Sequence, residues 1–102
     1  MKNVKTDKSN EKRALKDLIS VGNATLKDFE ILGIKSVNSL LNKDPRKLYL
    51  RLCKATGKKH DICVEDVFRA AIAQAQNPNL SLEQCQWWYW SRIRKEEHAS
   101  KN

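Results

Sequence analysis

Apolar positions in this chain recur at helical spacing from Asn10 onward, and no stretch alternates apolar and polar residues as a half-buried strand would. Leu15, Leu18 and Ile19 follow the i, i+3, i+4 rule and predict a first short helix, which Gly22 breaks. A second helix follows, capped by Asn23 or Thr25, with Leu26, Phe29 and Leu32 on its inner face. Gly33 stops it in the left-handed conformation that glycine tolerates. Ser36 caps a third, short helix that buries Val37, Leu40 and Leu41. "NKDPRKLYLRLCKATG" is the clearest helix, with Asp44 as cap, Pro45 at the first position and Gly57 at the close. Leu48, Leu52 and Ala55 run along one side of it, with Tyr49 and Cys53 on an adjacent stripe. Asp61 caps a fifth helix whose inner positions are Val64, Val67, Phe68, Ala71 and Ala75, and Asn77-Pro78 ends it. Ser81-Leu82-Glu83-Gln84 has capping-box spacing and opens a sixth segment leading into the tryptophans. The pattern predicts an all-α domain of five or six short helices over residues 10–95. A disordered basic tail is expected at 1–9, and a polar tail at 96–102 that frays.

The turn Val21-Gly22-Asn23-Ala24 is the first place where this pattern carries chemistry. A tight turn at a helix start gathers backbone N–H groups that have no partner inside the helix, where the helix dipole is positive. Gly22, Asn23 and Ala24 supply the candidate phosphate donors, and Lys27, one turn on, adds a charge to the same phosphate. Such contacts grip a nucleic-acid backbone without reading bases, so binding is salt-dependent and indifferent to sequence. Two short helices around a glycine turn resemble the helix-hairpin-helix superfamily. DNA-binding members of that superfamily have glycine where this chain has Ser20, and serine fits there if its φ is negative. The competing structural account is that Val21-Gly22 turns the chain so that Val21 can plug the core.

A longer resemblance runs from about Leu15 to about Arg92. "LISVGNATLKDFEILGIKSVNSLL", then "DPRKLYLRLCKATGKKHDICVEDVFRAAI", then a Trp-Trp pair before a basic end, is similar to the bacterial pathogenicity-locus family. Some members of that family are labelled mitomycin-resistance proteins. A weaker similarity extends to the C-terminal domain of TfoX-type competence regulators. The resemblance implies a compact helical domain with a helix-hairpin-helix core; it implies no particular chemistry.

Charge adds direction. Twenty lysines and arginines against twelve acids give a net +8 and a pI near 9.6, which favours an acidic partner, most simply nucleic acid. Lys58, Lys59, Arg92 and Arg94 are the candidates for diffuse contact with it. No segment approaches the ~18 apolar residues that a membrane-crossing helix needs. Met1 to Arg13 has lysines with no apolar stretch behind them, so no secretory signal is expected and a cytoplasmic location is. Cys53, Cys63 and Cys85, an odd count without an export signal, argue against a disulfide framework.

"GKKHDICVEDVFR" is the stretch nearest to catalysis or metal. His60 and Cys63 have a spacing that can present two ligands, but there is no CxxC pair and the chain has only two histidines. Cys63 in a first helical turn, with His60 as base and Asp66 as orienter, is the nucleophilic alternative. The simpler reading outweighs both: the cysteines fill the core, Asp61 caps a helix, and His60 bonds a nearby carbonyl. Asp66 and Arg69, three apart, are expected to form a surface ion pair.

"CQWWYWSRIRK" concentrates aromatics and cations. Trp87, Trp88 and Trp90 could form a surface that stacks unpaired bases or meets a protein partner, flanked by Arg92, Arg94 and Lys95. Packing is the larger share of the reading: one tryptophan fully packed, one partly exposed, with Trp87 and Trp90 on one face and Trp88 turned away. The resulting expectation is a non-enzymatic, sequence-nonspecific DNA-binding or DNA-repair accessory protein without cofactor, metal or small-molecule substrate. The alternative is a protein-interaction adaptor using the tryptophan surface.

Overall fold

A computed structural model describes residues 11–100. The expected tail at 1–9 lies outside them. The described chain has four α-helices and no strand: α1 (Asn23–Leu32), α2 (Pro45–Thr56), α3 (Cys63–Gln76) and α4 (Trp87–Ser100). Of the expected helices, the first and third are single 3-10 turns, at Leu15–Asp17 and Asn38–Leu40, and the sixth opens as a 3-10 turn at Glu83–Cys85 before α4 begins at Trp87. Each is too short to repay helix nucleation, and a tight turn is what remains when only three residues are available. α4 continues to Ser100, through the start of the stretch expected to fray from residue 96.

Helix boundaries follow local chemistry. Asp44 caps α2 by accepting from the Lys47 amide at 3.1 Å, Pro45 occupies the first position, and Gly57 closes the helix at φ +70. Gly33 closes α1 at φ +77 in the same manner. The α1 cap is neither Asn23 nor Thr25 but Gly22, extended at φ −102, because helical geometry begins one residue earlier than the side-chain pattern suggests. Asp61 stands just before α3 and accepts from the Cys63 amide at 2.8 Å. Asn77 leaves the helical region ahead of Pro78.

The core forms where α3 lies between α2 and α4, with α1 across α2. Phe29 of α1 stacks on Phe68 of α3 with ring centres 5.4 Å apart, and both are fully buried with Leu40, Leu48 and Leu52. Each such side chain contributes roughly 1.5–3 kcal/mol by leaving water. Val21 is buried as well, so the plug reading of the turn holds. Ile19, spaced with Leu15 and Leu18, is exposed, as is Ala55 on the side of Leu48 and Leu52, while Val67 and Leu41 are half-buried. At Ile19 the 3-10 turn has already ended and the helical face it was read from no longer exists.

Polar groups clamp this core. Glu65 and Asp66 occupy the first turn of α3, where the helix dipole favours carboxylates, and both are buried. Glu65 accepts from Arg46 of α2 at 2.7 Å. Asp66 accepts two bonds from Arg94 of α4, at 3.0 and 2.9 Å. The expected Asp66–Arg69 pair therefore does not form: Asp66 points inward on the stripe of fully buried Ala70, and Arg69 turns to Glu97 and to the Trp90 ring. At the other end of α3, Gln74 accepts from the Ile19 amide at 2.9 Å and donates to the Ile19 carbonyl at 2.8 Å, as a neighbouring backbone would. Each of the three segments around α3 is thus fixed by one polar side chain of α3.

Candidate functional site

The start of α1 is built from the turn before it. Ser20 sits at φ +75, the left-handed region, rather than at the negative φ at which serine was expected to fit. Its hydroxyl donates to the Cys85 carbonyl and accepts from the Trp87 amide, both at 3.0 Å. Those two bonds offset the conformational cost that glycine would avoid, so a serine can stand at this bend. With Gln74 holding the Ile19 backbone on one side, the bend is fixed from behind.

In front of it, Gly22, Asn23, Ala24 and Lys27 are all exposed. Leu26 makes the first intrahelical bond, to the Gly22 carbonyl at 3.0 Å. The amides of Asn23, Ala24 and Thr25 therefore have no helical acceptor, and none among the described residues takes the Gly22 amide. A Cβ added at Gly22 would meet nothing within 4 Å, so the approach to these donors is open. Beside them runs a groove of about 570 Å³ lined by Leu15, Asn23, Leu26, Lys27, Glu30, Ile34 and Lys35, two cations against one carboxylate. Of the four residues assigned to phosphate, Asn23 and Lys27 line this groove.

The diffuse cations divide. Lys58 and Lys59 are exposed after the Gly57 cap. Burial pushes the Asp28 carboxyl of α1 upward, and His60 and Lys58 nearby pull it back. Arg92 is half-exposed, paired loosely with Glu83 at 3.6 Å and laid over the Trp88 and Tyr89 rings at 5.7 and 5.3 Å. Arg94 was expected to contact nucleic acid, but it belongs to the interior: its guanidinium is held by Asp66 and its side chain is 13% exposed.

The tryptophans also divide differently from expectation. Trp87 and Trp88 together line a groove of about 480 Å³ along α4 and beside Cys63 of α3, at 39% and 44% exposure. Trp90 turns toward α3, half-buried, donating from Nε1 to the Gln84 carbonyl at 2.7 Å beneath Arg69. None of the three is fully buried, because α2 and α3 already fill the core that a packed tryptophan would occupy.

The His60–Asp61–Cys63 stretch is tied to the end of α2. The Tyr49 hydroxyl donates to the His60 carbonyl, the His60 ring bonds Thr56 Oγ1 at 2.7 Å through Nε2, and the His60 amide meets Cys53 Sγ at 3.5 Å. Burial pushes the Cys63 thiol up, and the Asp61 carboxylate beside it pushes the same way, opposite to what a nucleophile requires. Backbone bonding from Cys63 holds the Asp61 carboxyl low. Among the described residues no group of three or more His, Cys, Asp or Glu is placed to hold a metal ion. No helix among them is long and apolar enough to cross a membrane.

Sequence reasoning missed Ser20 as a clasp, Gln74 as a backbone mimic and Asp66 as an interior anchor. Only Asp66 left a signal, as a carboxylate on the stripe of Cys63 and Ala70.

Fold and site together define a small, basic, all-helical protein with an open helix start and an aromatic groove at the start of its last helix. Residues 8–96 match the family model described as Pathogenicity locus, and the chain belongs to that family. It is similar to the mitomycin resistance protein McrB of Streptomyces lavendulae, with 33% identity over 81 residues that make up 79% of this chain and 73% of that protein. No solved structure matches it.

Proposed function

We propose that this chain is a non-enzymatic DNA-binding or DNA-repair accessory protein, acting in the cytoplasm, that grips the phosphate backbone without reading sequence. In this reading the 3-10 turn at Leu15–Asp17, the bend at Ser20 and α1 form a shortened helix-hairpin-helix. The observation that supports it most is at Gly22. Its φ of −102 is ordinary and a Cβ there would meet nothing, so neither backbone conformation nor internal packing calls for glycine. What glycine preserves is unobstructed access to the amides of Gly22, Asn23 and Ala24. Lys27 and Lys35 border that access, and the chain carries a net +8.

The test is binding of a short labelled duplex by fluorescence anisotropy at two salt concentrations, with Gly22→Ala and Lys27→Glu. Affinity should fall steeply with salt and drop roughly tenfold in Lys27→Glu. Gly22→Ala should keep its stability within about 1 kcal/mol while losing affinity. Full affinity in both variants would assign the binding to general charge and remove the hairpin from it.

A further inference from the structure

We propose that the groove at Trp87 and Trp88 takes an unpaired base of single-stranded nucleic acid, with Arg92 and Lys95 meeting the phosphates beside it. This rests on the phosphate-binding reading above and adds a second point of contact. The groove holds about 480 Å³, a volume typical of small-molecule sites and ample for a base and its sugar. Its apolar lining is Trp87, Trp88, Ala99 and Cys63, with no leucine, isoleucine, valine or methionine. The apolar surface on offer is therefore mainly indole, which suits a flat partner better than the aliphatic knobs of a protein helix.

Charge points the same way. Arg92 and Lys95 line the groove with one carboxylate, Glu96, and the Arg92 side chain lies by the Trp88 ring, half-exposed and only loosely paired with Glu83 outside the groove lining. Each stacked base typically contributes about tenfold or more in affinity, whatever the base. The backbone at the start of α4 is also joined to the bend before α1. The Trp87 amide is 3.0 Å from Ser20 Oγ, and Gly22 follows Ser20 by two residues, at most about 7 Å of chain. In this proposal one strand lays a base on the tryptophans and a phosphate on the start of α1. A duplex keeps its bases stacked inside and can use only the second contact.

The experiment compares a labelled oligothymidylate with a duplex of equal length, using the intact chain and the variants Trp87→Ala/Trp88→Ala, Trp88→Phe and Lys27→Glu. Thermal melting reports whether each variant is folded. The single strand should bind about tenfold tighter than the duplex. The double alanine variant should lose that preference and leave duplex binding unchanged, Trp88→Phe should retain most of it, and Lys27→Glu should weaken both ligands alike. Equal binding of both ligands, untouched by the tryptophan changes, overturns the groove assignment and leaves the hairpin reading standing. Failure of both ligands to bind at low salt overturns both readings. A concentration-dependent dimer that the tryptophan changes dissolve, without single-strand preference, makes the groove a protein interface and overturns the assignment.

Discussion

The Ser20 hydroxyl accepts a hydrogen bond from the amide of Trp87, 67 residues further along the chain. A side chain at φ +75 thereby caps the first turn of the last helix. Serine is expected to be better here than either smaller residue. Ser20→Ala keeps the strained backbone and loses both hydroxyl bonds, costing about 2 kcal/mol. Ser20→Gly loses the same bonds but relaxes the backbone and should cost about 1 kcal/mol less. Urea unfolding of the three proteins checks the order, and a glycine variant weaker than the alanine variant would contradict it.

Asp66 and Arg94 join α3 to α4 inside the protein. Removing one partner strands a buried charge, so Arg94→Met should cost about 3–5 kcal/mol. Replacing both by apolar residues, Asp66→Leu with Arg94→Met, should recover most of that loss. If Arg94 acted instead as a surface phosphate contact, the single change would spare stability and weaken DNA binding.

Gln74 holds both backbone groups of Ile19 and donates also to the Ala70 carbonyl at 3.2 Å. Gln74→Leu fits the space and satisfies none of these groups. A loss of about 2–3 kcal/mol is expected, with early hydrogen exchange at the Ile19 amide. Unchanged protection at that amide would show that the turn holds without the glutamine.

Glu11 is bonded by the Arg13 guanidinium, which pulls its carboxyl from 4.5 down to about 2. A carboxyl held low in the folded protein adds stability above its unfolded value and loses it as it protonates. The contribution should be complete above about pH 4.5 and fade toward pH 2. Its size is on the order of 1 kcal/mol, since the two residues are sequence neighbours near the surface. Glu11→Gln should flatten this part of the acid limb in a pH series of melting temperatures, and an unchanged limb would rule the pair out as its source.

Cys63 should alkylate more slowly than free cysteine at neutral pH and speed up in alkali, since burial and Asp61 both raise its thiol. Asp61→Asn should quicken it. Fast modification at pH 7 would revive the nucleophilic reading.

The long helices were legible because their signals are local. Asp44-Pro45 with Gly57, Gly33 and Asn77-Pro78 each act within a turn of the residue they mark, and the structure uses them all. The short segments were misread because three or four spaced apolar residues fit a 3-10 turn as well as a helix. Asp66 was given to Arg69 because spacing along one helix is visible in sequence and a partner 28 residues away is not. For the same reason Arg94 was counted among surface cations. The open amides at residues 22–24 were legible, being a property of the turn itself; the hydroxyl clasp behind them depends on where Cys85 and Trp87 arrive in space.

That dependence has a consequence for biosynthesis. On the ribosome, Ser20 emerges long before Cys85 and Trp87, so until those residues are made the bend is held at Ile19 by Gln74 but has neither bond to the Ser20 hydroxyl. A transcript truncated before codon 85 would yield a polypeptide with α1 to α3 but an unlatched bend, and quality-control proteases should find their first cut there.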